Sequence, residues 1–215
     1  MSQQQKRSEE YDDSERFPIL TANQDSLDAI FYKARCEHGF TNEDVPQALI
    51  EQAMEMTYLC PTAFNNQPLR IVFVKSTEAK AKLQDCLMPG NKQQTSEASW
   101  VAIMCYDTEF YKHVERMCPE IPNIGTFFLP RHQLTEESMV RNANLQCGYF
   151  ILALRALGLG VLPMSGILEE KMVETFLKDE PHLRLNFIIA IGYPDASKRF
   201  PRVKRFEFDE VTKIL

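Results

Sequence analysis

The residues with the clearest chemical potential lie near the C-terminus. Five positive charges fall within eight residues there, although the chain as a whole has a formal net charge of −6: Lys198, Arg199, Arg202, Lys204 and Arg205. Guanidinium groups match phosphate oxygens in two-point geometry. The pattern therefore predicts either an anion clamp or a solvated basic segment. A further cation, Arg35, follows the first predicted helix.

A second group of candidates is a loop of small and amide side chains between two prolines, Pro61-Thr-Ala-Phe-Asn-Asn-Gln-Pro68. Its three amide side chains each offer a hydrogen-bond donor and an acceptor, which is what reading the edge of a heterocycle of mixed polarity requires. The alternative is an ordinary turn. A third candidate, Pro163-Met-Ser-Gly166, either brings backbone N–H groups close to a ligand or simply connects a strand to a helix.

Familiar catalytic motifs are absent from the sequence. It contains no GxGxxG after a strand, no P-loop, no HExxH and no GxSxG. The four histidines are far apart, and no spacing of His and Cys predicts a metal site. An enzyme with this sequence would therefore obtain its reactive centre from a bound cofactor.

Composition limits the class of protein. The 215 residues, 44% hydrophobic and 25% charged, predict one globular domain. Residues 1–24 are polar and without periodicity, so we expect a flexible leader there and the folded domain over 25–215. No apolar run is long enough for a bilayer, and the six scattered cysteines are typical of reduced thiols. We expect a cytoplasmic protein that binds neither nucleic acid nor membrane.

Hydrophobic periodicity predicts the elements that must position these candidates. Helices are expected over residues 26–34, 42–60, 76–87, 135–157 and 169–178; the second is predicted because Thr41 and Asp44 resemble a capping box. Buried strands are expected over 70–75, 100–106, 161–165 and 186–192. Residues 107–134 are predicted to form a lid. The alternation of helices and strands indicates an α+β or α/β domain.

Taken together and in order, these segments resemble the nitroreductase family of FMN enzymes. The resemblance covers residues 26–215 and rests on the following motifs: Ala34-Arg-Cys36, Cys60 to Pro68, Ala153-Leu-Arg-Ala-Leu-Gly-Leu-Gly160, Pro163 to Gly166, Ile191-Gly-Tyr-Pro194 and the basic C-terminus. The closest similarity is to the branch that contains malonic semialdehyde reductase. Ser165, which stands where nitroaromatic-reducing members have Glu, fits that branch.

The resemblance implies an α+β fold with a mostly antiparallel central sheet flanked by helices, and a homodimer that shares FMN between its two chains. It implies that Arg35 and Arg205 bind the FMN phosphate with help from Arg202 or Lys204, and that Cys36 and His38 line the same stretch. Other residues are implied to approach the flavin ring: Pro61, Thr62, Ala63, Asn65 and Gln67 from the partner subunit, and Asn91, Thr95, Pro163, Met164, Ser165 and Gly166. The N–H of Gly166 is implied to face flavin N5.

The implied activity is ping-pong hydride transfer from NADPH or NADH, through flavin N5, to a small electron-poor acceptor. The acceptor classes left open are a short aldehyde such as malonic semialdehyde, a nitroaromatic, a quinone or an enone. Phe127 and Phe128 are expected to contact it, with a role as ordinary core aromatics as the alternative; no protein side chain is expected to be the catalytic group. The competing hypotheses are a flavin reductase or dehalogenase-like member and a flavin-binding protein without turnover.

Overall fold

The computed structural model of the protein describes residues 20–215. Most of the predicted leader, residues 1–19, lies outside the described residues. Within the described part, a four-stranded antiparallel sheet has the order β1-β2-β4-β3. The strands are β1 (Leu69–Val74), β2 (Trp100–Asp107), β3 (Gly160–Met164) and β4 (Leu183–Gly192). The strand predictions are confirmed, and β1 and β3 form the two edges of the sheet.

Helices cover both faces of this sheet. In chain order they are α1 (Gln24–Leu27), which continues as a π-helical turn over Asp28–Tyr32, α2 (Gln47–Thr57), α3 (Thr77–Asp85), α4 (Pro89–Glu97), α5 (Tyr111–Met117), α6 (Ile124–Phe128), α7 (His132–Ala156), α8 (Glu169–Met172), which continues as a π-helical turn over Val173–Leu177, and α9 (Phe208–Val211). None of the helices in the described part of the chain has the length and apolar run that crossing a bilayer requires.

The sheet is buried because successive side chains of a strand point to opposite faces. Along β2, Val101 and Ile103 pack into one apolar cluster with α3 and α8, whereas Ala102 and Met104 pack into another with α2 and α7. Both clusters are apolar, so β2 is a continuous apolar run rather than an alternating one. The result is an α+β fold of three layers, as predicted.

Two helix predictions were wrong in their details. The second helix begins at Gln47, after Pro46, and not near residue 42. Asp44 does not cap a helix, because its carboxylate binds Lys75 at 3.0 Å and accepts a hydrogen bond from Ser99 at 2.9 Å. Helix α4 was not predicted. In the structure, Pro89 occupies the first turn of this helix, a position that proline favours.

Candidate functional site

Four arginines gather where α1 ends and the C-terminal segment begins. Nη1 of Arg35 donates to the carbonyls of Tyr32 (3.4 Å) and Ala34 (3.0 Å), and Nη2 of Arg202 donates to the same two carbonyls at 2.6 and 2.9 Å. Sharing these acceptors brings the two guanidinium groups side by side, where the carbonyls after a helix attract cations. We call Arg35, Arg155, Arg202 and Arg205 the arginine cluster.

The arginine cluster carries uncompensated positive charge. Desolvation, followed by repulsion from the other three arginines, lowers the pKa of Arg202. Within residues 20–215, none of the four forms an ion pair with an acidic side chain. Arg35 and Arg155 also line a cleft of about 180 Å³. An anion with several oxygen acceptors would satisfy these groups, so the cluster fits a phosphate.

Two of the five C-terminal cations are not available for such an anion. Arg199 binds the buried carboxylate of Glu37 through two contacts of 2.8 and 3.0 Å, and Lys198 binds Glu97 at 3.0 Å. Both contacts fix the start of the C-terminal segment. His38 contributes to the same anchor, since its ring packs edge-on against Phe200 at 4.9 Å. Cys36 is exposed and pairs through its backbone with Val161 of β3.

The turn that leaves β3, residues 163–166, is held from α4. The Asn91 side chain donates to the Gly166 carbonyl at 2.9 Å, and a Cβ at Gly166 would lie 2.5 Å from Asn91 Nδ2. A side chain at position 166 would therefore displace the Asn91 amide from its hydrogen bond to this turn. Among the described residues, no acceptor receives the N–H of Gly166. Together with the exposed Ser165, this leaves a backbone donor available to a ligand.

Three of the predicted contact residues are buried instead. Thr95 is fully buried, and its hydroxyl bonds the Asn91 and Lys92 carbonyls and Gln84. The structure thus gives Thr95 a role inside α4. The Met164 side chain belongs to the core, so only its backbone is near the turn. Phe128 is only 2% exposed and packs in an apolar cluster with residues of α5 and α7, which is the alternative expected for it.

Residues 61–68, which we call the amide loop, have an unusual backbone. Phe64, Asn65 and Gln67 have φ angles of 53°, 50° and 37°, in the left-handed region that non-glycine residues rarely adopt. Asn65 donates to the Met117 carbonyl at 2.7 Å and accepts from Gln67 at 2.7 Å. Pro61 and Ala63 are exposed, and Thr62 is half-buried. The loop therefore presents Pro61 to Ala63 outward.

The exposed aromatic of the predicted lid sits beside this loop. Phe127 is 38% exposed, and its ring centroid lies 6.1 Å from that of Phe64. The Arg131 guanidinium lies 4.2 Å from the centroid of Phe127 and donates to the Phe127 carbonyl at 2.5 Å. Phe127 thus offers a partly exposed apolar surface with a cation next to it.

The amide loop and the turn at 163–166 lie at the same end of the sheet but at opposite edges. Met164 of β3 pairs with Ile188 of β4, which pairs with Ile103 of β2, and Ile103 pairs with Val72 of β1. Met164 and Val72 therefore lie in the same row across the sheet. Three strand spacings separate the two edges, or roughly 14 Å. Within one chain, the predicted contact residues therefore form two half-sites rather than one site.

The C-terminal arm, residues 203–215, projects from the arginine cluster. All its residues are exposed, and its large apolar side chains are Val203, Phe206, Phe208, Val211, Ile214 and Leu215. Leu145 and Tyr149 of α7 are also 52% and 40% exposed. Apolar surfaces of this extent are typical of interfaces between chains.

Two cysteines of the core are poor nucleophiles. Burial raises the pKa of the Cys105 and Cys147 thiols to about 12, so both stay protonated at neutral pH. Arg155 was not predicted as a site residue. The available signal was a cation in the last turn of a long helix, a position that favours positive charge.

Comparisons with known proteins give consistent matches over most of the chain. Residues 33–193 match the model of the nitroreductase family. The chain is 37% identical over 193 residues, 90% of its own length and 97% of the relative's, to a protein of Polynucleobacter asymbioticus named "Putative NADH dehydrogenase/NAD(P)H nitroreductase". A protein of the same name from Stenotrophomonas maltophilia is 38% identical over 189 residues, covering 88% of this chain and 95% of the relative.

Solved structures share the fold. A "putative nitroreductase in complex with FMN" from Exiguobacterium sibiricum superimposes with a TM-score of 0.78 at 17% identity, covering 91% of this chain and 99% of that one. The gut-bacterial enone reductase CLA-ER, described as acting in fatty acid saturation, gives a TM-score of 0.76 at 24% identity, covering 91% and 100% of the two chains.

Proposed function

Because this chain belongs to the nitroreductase family and is an oxidoreductase, we propose that it binds FMN in a cleft formed by two copies of the chain. The observation that carries this proposal is the arginine cluster, whose four cations have no acidic partner within residues 20–215. A phosphate supplies the missing negative charge. Arg35, Arg202 and Arg205 would hold it, with Lys204 beside them.

The flavin ring would contact the two half-sites from different chains. Asn91 and the turn at 163–166 would approach it from one subunit, and the unpaired N–H of Gly166 would donate to the ring edge. The amide loop of the partner subunit would supply Pro61 to Ala63, with Asn65 and Gln67 behind them. The separation of the half-sites within one chain, roughly 14 Å, supports this division.

A homodimer would also cover the exposed apolar surfaces. The C-terminal arm makes hydrogen bonds mainly within itself, for example between Glu207 and Glu210. Five or more exposed apolar residues in one short segment are unfavourable in water. We therefore infer that the arm packs on a second copy. A cytoplasmic location belongs to the same proposal, supported by six free cysteines in the described part of the chain.

Bound FMN supplies the chemistry of ping-pong hydride transfer, from NADPH or NADH to a small electron-poor acceptor. The chain's own residues hold the phosphate, donate a backbone hydrogen bond and shield the ring from water. Donors that are fixed before the reaction stabilise developing charge without a reorganisation cost.

Arg131 bears on the choice of acceptor among the short aldehydes, nitroaromatics, quinones and enones. Its guanidinium lies against the exposed ring of Phe127 and has no acidic partner among residues 20–215. A cation beside an apolar contact surface favours an acceptor that carries a carboxylate. Within the proposed activity, this supports a short aldehyde acid such as malonic semialdehyde.

One experiment separates the proposal from its competitors. Purified protein should be a dimer by size and yellow, and should bleach anaerobically when NADPH or NADH is added; an acceptor panel with malonic semialdehyde and nitrofurazone then ranks the substrates. Yellow protein that neither nicotinamide reduces would favour a flavin-binding protein without turnover. Protein that takes up no FMN would refute the proposal.

A further inference from the structure

The left-handed backbone of the amide loop must be imposed from outside the loop. Asn adopts a positive φ with little penalty, but an aromatic residue such as Phe64 seldom does. Such a conformation persists only where the surrounding structure over-determines it. The contacts that hold it come from α5, through the bond of Asn65 to the Met117 carbonyl, and from α7.

Three buried polar side chains of α7 face the loop in a row. Ser138, Asn142 and Gln146 are four residues apart, so they share one face of the helix. Asn142 Oδ1 accepts from the Ala63 N–H at 2.8 Å, and Ser138 Oγ accepts from Asn66 Nδ2 at 3.0 Å. Gln146 Oε1 accepts from the Leu69 N–H at 3.0 Å, where β1 begins.

The amide of Asn142 is the centre of this row. Its Nδ2 donates to the Ser138 carbonyl at 2.7 Å, which fixes the orientation of the side chain and directs Oδ1 towards the loop. Asn142 is only 6% exposed. Losing the amide would therefore leave the Ala63 N–H without its acceptor and remove this link between the loop and α7.

We propose that Asn142, supported by Ser138, is a positioning residue that holds the amide loop in the conformation that receives the flavin. This inference rests on the proposed function, in which the loop of one subunit contacts FMN bound to the other. Asn142 itself does not touch the cofactor. It acts by pre-forming the loop, so that binding need not pay for ordering it.

The test compares two substitutions on one helix. Asn142→Leu removes the hydrogen bonds but keeps the number and branching of the side-chain heavy atoms. Asn144→Leu makes the same change at an exposed position whose bonds go to Tyr106 and Asn186. Asn142→Leu should weaken FMN binding roughly tenfold and speed hydrogen exchange of the Ala63 amide in the cofactor-free dimer. Asn144→Leu should change neither. Flavin fluorescence measures the affinity, and mass spectrometry measures the exchange.

A milder variant keeps the test valid if Asn142→Leu fails to fold. Ser138→Ala suits a helix and removes one hydroxyl, which accepts from Asn66 Nδ2 at 3.0 Å and from Asn142 Nδ2 at 3.2 Å. The bond of Asn142 to the Ser138 carbonyl remains, so this variant should weaken FMN binding roughly threefold. If the wild type binds FMN and the variants show unchanged FMN affinity and unchanged exchange, the inference about Asn142 is wrong and the proposed function still stands. Faster exchange with unchanged affinity would also overturn that inference. Wild-type protein that binds no FMN would instead refute the proposed function.

Discussion

Replacing Arg205 by alanine tests the arginine cluster most directly. The Arg205 side chain is exposed, and its Nη1 donates only to the carbonyls of Val203 (3.1 Å) and Lys204 (3.0 Å), so the cofactor-free protein has little to lose. Its positive charge also lowers the pKa of Arg202, and removing it relieves that repulsion. Arg205→Ala should therefore leave the free energy of unfolding without FMN unchanged within about 0.5 kcal/mol.

The substitution should make the free energy of binding less favourable only for a ligand that carries the phosphate. A hydrogen bond to a charged group contributes about 1.5–3 kcal/mol, so we expect FMN affinity to fall by about 2 kcal/mol, or roughly 30-fold. The loss should shrink at high salt, because exposed charges are screened. Fluorescence titration of FMN at two ionic strengths, together with urea unfolding of the cofactor-free protein, measures both effects.

Arg184→Ala is the matched control. The Arg184 side chain is also exposed and donates to the carbonyls of Pro181 and Leu183. Arg184 lies on β4 opposite Tyr106, away from the arginine cluster. Its substitution should leave FMN affinity unchanged. Equal affinity of the wild type and Arg205→Ala at low salt would refute the reasoning, and so would an equal loss in Arg184→Ala, since that would indicate a general charge effect.

Two further predictions concern the turn at 163–166 and its surroundings. Gly166→Ala places a Cβ 2.5 Å from Asn91 Nδ2, whereas the Cβ of Gly90→Ala has no other atom within 4 Å. Only Gly166→Ala should therefore impair FMN binding. Fluorescence titration of FMN with both variants measures this difference. Alkylation of the exposed Cys36 at pH 8 should be slowed by FMN, while Cys147, with its pKa raised to about 12, should react slowly with or without it. Mass spectrometry of the labelled peptides checks this, and an unprotected Cys36 would place the cofactor elsewhere.

The sheet could be predicted because its strands are short apolar runs bounded by turn residues. The family membership could also be predicted, since it depends on the order of several loops rather than on one motif. Helix α4 could not, because the sequence Pro-Gly-Asn-Lys-Gln-Gln-Thr-Ser-Glu has no apolar stripe and only the position of Pro89 signals a helix.

At the site, the direction in which side chains point was the main feature that the sequence did not predict. Thr95 and Phe128 were predicted as contacts from their position in the chain, but the rotation of α4 and the packing of α6 turn both into the interior. The role proposed for Asn142 was not visible either. A buried amide in an apolar helix is a signal, yet its partner, the Ala63 N–H, lies 79 residues away in sequence.

In the proposed dimer, helix α7 of each chain would contact both FMN sites. Its 25 residues span about 37 Å. In the proposed dimer, Asn142 would support the loop offered to one flavin, and Arg155 would stand beside the phosphate of the other. A stiff rod cannot shift at one end without moving at the other. Binding of FMN at the first site would therefore change the conformation of residues that form the second site. The FMN binding isotherm of the dimer should then depart from that of two equal, independent sites.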